Sequence, residues 1–216
     1  LRLSQGAEII TAIQGRQEVL IWTDTAMYSL QYVGAPIVWG AQMLGDNISV
    51  ASPNACIYVN NVAYWMGVGG FYKYDGRVQP LRCDVKKYVF NDFNEEQYTQ
   101  VFSGTNEGYG EVWWFYCSSD TTAIDRYVIY NYEQDIWYYG TMARSAWLDS
   151  GLRDYPIAAT YTKNLVDQER GLDDKETATT SAVSAHIQSA QFDLQDGHQF
   201  SFIPVSYTHL RAHETV

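Results

Sequence analysis

Glu107 and Glu111 flank the turn Gly108-Tyr109-Gly110, and they come nearest in this sequence to a catalytic pair. Paired acids are what glycoside hydrolysis requires, one giving a proton and the other acting as base or nucleophile. Acids beside a turn also simply keep it solvated, and no second sugar-binding signal accompanies these two. Asp92, Glu95 and Glu96 form another acidic group. Asp92-Phe93-Asn94-Glu95-Glu96 begins like a calcium loop, but Gln97 stands where that loop needs glycine. A solvated face near a helix end accounts for these acids better. No G-x-S-x-G, phosphate-cradling glycine loop or H-E-x-x-H occurs. His186 and His198 stand alone, the usual situation of a structural histidine. His209 and His213 have the i, i+4 spacing of a helical metal pair. They lie, however, in a C-terminal stretch that is set apart below. Cys56, Cys83 and Cys117 have no metal-type spacing and leave one cysteine over under any pairing. Cys56 and Cys117 fall in strand-like runs, so reduced, buried thiols of an intracellularly folded protein are expected. The residues thus predict no catalytic, cofactor-binding or metal-binding site, and a protein that is not an enzyme.

The elements that would position these side chains are strands. Tyr (18), Trp (7) and Phe (8) make up 15% of the 216 residues, and these types suit the half-buried, pleated surface of a sheet. They are gathered in short runs separated by Gly, Asn and Asp. Residues 19–24 precede 26–32; 62–68 precede 71–74 and 77–81; 112–117 precede 126–132 and 136–140. Asp75-Gly76 reads as a two-residue hairpin turn of type I′, with positive φ at both positions. Asn60-Asn61, between 55–59 and 62–68, is a second such turn. The three groups start at Val19, Val62 and Val112, 43 and 50 residues apart. That spacing suits one four-stranded blade per unit. Several runs are apolar on both alternations, as in Val19 and Ile21 against Leu20 and Trp22. Such strands belong to sheets covered on both faces. The fold expected is therefore all-β, a partial β-propeller of four-stranded antiparallel blades over 1–205, with an aromatic-rich β-sandwich as the alternative. Ser118-Ser119-Asp120 lacks the downstream Gly and Trp of the sialidase Asp-box, so that propeller class loses its marker. In this fold Trp22, Trp65, Trp113 or Trp114, and Trp137 are expected between sheets; indoles exposed along one groove would instead favour a glycan platform.

Helical periodicity is confined to 84–90, where Val85, Tyr88 and Val89 share a face. Residues 163–180 are the most polar and read as a solvated loop or an excursion at a blade edge, after which 183–187 and 199–203 resume strand-like alternation. Residues 206–216 (SYTHLRAHETV) break the composition and resemble a translated sequencing adapter. They are expected to be a non-native tail, and a chain ending at Val205 to fold equally well. The net charge of −11 argues against a sequence-reading nucleic-acid domain, which would carry a basic footprint. An acidic wall past which DNA moves without being gripped remains compatible with it. No apolar run reaches the ~18 residues of a membrane-spanning helix. The start at Leu1 has no signal-like segment and no initiator Met, so the chain is expected to begin inside a longer frame.

Six blocks carry a family likeness: 15–36 (GRQEVLIWTDTAMYSLQYVGAP), 44–55 (LGDNISVASPNA), 64–83 (YWMGVGGFYKYDGRVQPLRC), 101–117 (VFSGTNEGYGEVWWFYC), 125–152 (DRYVIYNYEQDIWYYGTMARSAWLDSGL) and 192–198 (FDLQDGH). From about Gly15 to Ile203 the chain resembles the DNA-stabilisation, or tail nozzle, proteins of short-tailed, podovirus-like bacteriophages. The resemblance implies a β-propeller within a longer chain. It implies a virion structural protein of the tail, assembled in the host cytoplasm as a hexameric ring below the portal and adaptor proteins. Such a ring retains packaged DNA and conducts it during ejection. No catalytic residue or cofactor is implied. The family continues beyond the 199–203 region, where this sequence has its adapter-like tail. The alternatives are a glycan-binding or glycan-cleaving propeller and a kelch-like scaffold, for which only Gly69-Gly70 fits the double-glycine pattern.

Overall fold

The structure is a computed structural model that describes residues 3–174, 176 and 180–183. Most of its aromatic runs become the inner strands of antiparallel meanders, each built from one continuous stretch of chain. Sheet 1 contains β1 (Ile9–Gln14), β2 (Glu18–Thr23), β3 (Ala26–Tyr32) and β4 (Trp39–Asp46), paired in that order. Sheet 2 contains β5 (Cys56–Val59), β6 (Val62–Gly67), β7 (Gly70–Tyr74) and β8 (Val78–Leu81). Sheet 3 contains β9 (Phe102–Asn106), β10 (Glu111–Tyr116), β11 (Arg126–Asn131) and β12 (Ile136–Thr141). A three-stranded sheet follows, of β13 (Ala146–Leu148), β14 (Ile157–Ala159) and β15 (Leu165–Asp167), then a small pair, β16 (Asp173–Asp174) with β17 (Ser181–Ala182). The chain is all-β, with three successive four-stranded antiparallel sheets. The positions Val19, Val62 and Val112 fall at the start of the second strand of each.

Both-face burial follows from the stacking of these sheets. Leu20 and Trp22 of β2 face sheet 2, while Ile21 packs with Ala26 and Tyr28 on the opposite side. Trp22 meets Trp65 edge-on at 5.3 Å. Across the next interface Phe71 lies 5.0 Å from Trp114, and Tyr64 5.9 Å from Tyr130. On the far side of β10, Trp113 stacks on Trp147 at 4.9 Å. The alternation of β10 therefore sends Val112, Trp114 and Tyr116 into one core and Trp113 and Phe115 into another. Such aromatic contacts add about 0.5–1.5 kcal/mol each beyond simple burial. Trp22, Trp65, Trp113 and Trp114 are buried as expected. Trp137, on the outer strand β12, is half-buried against Phe71, Trp114 and Tyr130.

The turns divide. Asn60 and Asn61 take φ of 50° and 62° between the paired Val59 and Val62, the two-residue loop expected. The Asp75-Gly76 expectation is corrected. Tyr74 pairs with Val78, so the loop has the three residues Asp75, Gly76 and Arg77, and among them only Gly76 takes positive φ, 106°. A three-residue hairpin loop needs just one such residue. The expected helix is present as α1 (Lys86–Asn91). Of the two readings of 163–180, the wholly looped one is corrected: β15 and β16 lie within it as short strands pairing with β14 and β17, and β15 forms the edge of its sheet. These strands are two or three residues long and owe their place to neighbours rather than to their own apolar content. Residues 184–187, 199–203 and 206–216, and with them the expected boundary at 205, lie outside the described residues.

Candidate functional site

The first strand of each sheet abuts the first strand of the next: β1 lies against β5, β5 against β9, and β9 against β13. Polar backbone contacts tie these neighbours together. Asn54 forms a parallel bridge with Phe102, and its carbonyl accepts from the Ser103 N–H at 2.8 Å and the Ser103 hydroxyl at 2.9 Å. The Ser52 hydroxyl donates to the Val101 carbonyl. Where the four strands converge they line an open cavity of about 740 Å³. Its wall includes Thr11, Asn54, Gln100, Ser103, Ser145 and Trp147, and no lining residue is charged. Such a wall presents neutral hydrogen-bonding groups and apolar surface, with no acid, base or cation among its side chains. Cys56 also lines it, but burial pushes its thiol up to about 11, so it is protonated near neutral pH and a poor nucleophile.

A smaller cavity of about 240 Å³ lies between the β9–β10 turn and the β13–β14 loop. Glu107, Asp149, Asp154 and Glu169 line it with Arg153, Tyr109 and Tyr155. Asp149 accepts the Glu107 backbone N–H at 2.8 Å, which fastens the two loops together. Glu111 is not among the lining residues. Its carboxylate accepts from the Trp113 indole at 3.0 Å, and burial raises its pKa. Of the acidic pair read from sequence, Glu107 lines the cavity while Glu111 is bound to a tryptophan of the core.

The Asp92, Glu95 and Glu96 group is also divided. Asp92 forms an ion pair with Arg126 at 3.1 Å, and Arg126 reaches Asp125 at 3.0 Å. Glu95 and Glu96 sit in the first turn of the 3-10 helix Glu95–Gln100, capped by the Asn94 side chain, which accepts from the Glu96 N–H at 3.0 Å. Sequence reading missed Arg126 as the partner of Asp92, because strand pairing and helix placement join residues far apart in the chain. Ser118 is buried and gives Asp125 two hydrogen bonds, at 2.8 and 2.9 Å from its N–H and hydroxyl. Burial alone would raise the pKa of Asp125; the hydrogen bonds from Ser118 and Thr121 and the charge of Arg126 outweigh it and hold the carboxyl low. This cluster braces the β10–β11 connection and converges on neither cavity.

Cys56 and Cys117 are buried and Cys83 half-buried, all three as free thiols. His186, His198, His209 and His213 lie outside the described residues. A scan against models of known protein families finds no match, and a search of curated proteins finds none.

Proposed function

We propose that this chain contributes β-propeller blades to a structural protein of a bacteriophage tail, one that retains packaged DNA and conducts it during ejection. In this reading the protein works as a homo-oligomeric ring, a hexamer beneath the portal and adaptor. The observation that supports it most is the succession of four-stranded meanders whose first strands adjoin around one cavity. Blades of a propeller are related in this way: each gives its first strand to the centre and both faces to its neighbours. The nozzle assignment rests on the sequence blocks between Gly15 and Ile203 and on the charge of −11. Carboxylates already engage Lys73, Arg82, Arg126, Arg144, Arg153 and Arg170, out of 14 Lys and Arg in all. A wall that gripped the duplex through free cations would impede ejection.

The test uses the full-length protein that carries this segment, in a filter-binding titration across salt concentrations and a measurement of particle mass. The expected result is no appreciable duplex binding at physiological salt and a closed ring. A phosphate-gripping protein would lose about 0.9 log units of affinity per log unit of salt for each phosphate neutralised. Tight, salt-sensitive binding by a stable monomer overturns the conduit and the nozzle assignment together.

A further inference from the structure

The smaller cavity holds a polar group for which the fold supplies no partner. Asn106, the last residue of β9, lines it and is 3% exposed, and its side-chain amide nitrogen has no hydrogen-bond partner. Strand alternation sets the direction of this side chain. Asn106 shares a face of β9 with Gly104, where an added Cβ would run into Trp147 of the next sheet. Asn106 therefore points out of sheet 3 towards the β13–β14 loop, where the cavity lies. Glu111 stands opposite it in the β9–β10 register. The amide is near enough to offset part of the rise in the Glu111 pKa, yet the two are out of geometry for a hydrogen bond. A buried donor without an acceptor is costly, and an incoming acceptor removes that cost.

Carboxylates supply the complementary half. Glu107, Asp149, Asp154 and Glu169 line the same cavity, and its lining cation, Arg153, is bound to Asp167 at 3.2 Å. Tyr109 and Tyr155 add rings that are 59% and 40% exposed. These groups narrow the class of occupant. An anion would meet carboxylates. A metal ion or an ammonium group accepts no hydrogen bond and leaves the amide unpaired. Among the described residues, moreover, no three acids converge closely enough to hold a metal. Neighbouring hydroxyls satisfy both halves, since a hydroxyl oxygen accepts from Asn106 while its O–H donates to a carboxylate. At about 240 Å³ the cavity is smaller than the roughly 300–1,000 Å³ of sites for drug-sized ligands, which suits a single ring.

We infer that this cavity binds one neutral hexose unit of a saccharide. Asn106 donates to a sugar hydroxyl, the surrounding carboxylates accept from others, and Tyr155 packs against the C–H face of the ring. The site does not depend on the ring assembly proposed above.

Saturation-transfer difference NMR on the full-length protein tests it, with the methyl glycosides of glucose, galactose, mannose and N-acetylglucosamine as probes. At least one glycoside should bind. Asn106→Asp, which replaces the donor by a further acid, should weaken that binding at least tenfold. Tyr155→Ala changes an exposed side chain and should weaken it likewise, which covers the case in which circular dichroism shows Asn106→Asp to be unfolded. Tyr138→Ala, on outer strand β12 and also 40% exposed, should leave binding unchanged. Binding of none of the four glycosides overturns the inference, and so does binding that persists in the folded site variants. Calcium is titrated in parallel; binding of calcium and of no glycoside makes the acids a cation site and overturns it too.

Discussion

Replacing single core tryptophans by phenylalanine tests the packing between sheets, and the indole nitrogens make the test discriminating. Trp22, Trp65 and Trp114 are all fully buried. Trp114 donates its indole N–H to the Ala55 carbonyl at 3.0 Å, whereas the indole nitrogens of Trp22 and Trp65 have no hydrogen-bond partner. Trp→Phe removes roughly 60 Å² of buried ring surface at each site, worth about 1.5 kcal/mol at about 25 cal/mol per Å². At Trp114 the lost hydrogen bond adds about 1 kcal/mol. The Ala55 carbonyl keeps a partner in the Met66 N–H, so no orphaned acceptor adds further to that loss. At Trp22 and Trp65 the substitution instead removes a buried donor without a partner, which returns about 1–3 kcal/mol. Trp114→Phe should therefore lose about 2.5 kcal/mol, while Trp22→Phe and Trp65→Phe lose less than about 1 kcal/mol. Urea unfolding followed by far-ultraviolet circular dichroism measures the difference. Trp22→Phe or Trp65→Phe destabilising as much as Trp114→Phe refutes the reasoning, since hydrogen-bonding state would then not govern the response.

Gly104→Ala should lose about 1–3 kcal/mol by overpacking, since its new Cβ would collide with the Trp147 indole; an unchanged melting temperature would show that β13 does not press on β9. Burial pushes the Cys56, Cys83 and Cys117 thiols from an ordinary 9.0 to about 11, and Tyr64 and Tyr74 from 10.0 to about 12. These folded-state values lie above the unfolded ones, so their contribution is fully present below about pH 9 and is lost as pH rises through about 11 to 12. Urea midpoints should accordingly hold steady from neutral pH to about 9 and then fall. A midpoint that rises over the alkaline range would contradict the burial of these groups.

Sequence alone determined the class of fold, the turn at Asn60-Asn61 and the second strand of each four-stranded sheet. Those strands are covered on both faces, so their own side chains must be apolar on both alternations, and Trp22, Trp65 and Trp114 advertise it. The first strands β1 and β9 and the outer strand β4 were not legible. β9 contains Ser, Gly, Thr and Asn beside Phe102 and is held in place by pairing and by neighbouring sheets rather than by apolar content, while β1 packs Ile10 and Ile13 on the core without the aromatic signature that marks the inner strands. Gly104 is the sharpest instance: a strand reader sees a residue that weakens the strand, whereas the structure has a glycine because Trp147 of the next sheet needs its space. Only tertiary structure set Glu107 at a cavity and Glu111 against Trp113, joined Asp92 to Arg126, and gathered Thr11, Asn54, Ser103 and Ser145 into one uncharged wall. Spacing along a chain records which residues share a face of one element. It carries no record of which faces of distant elements meet, because that is decided by how the sheets stack once their apolar surfaces are buried.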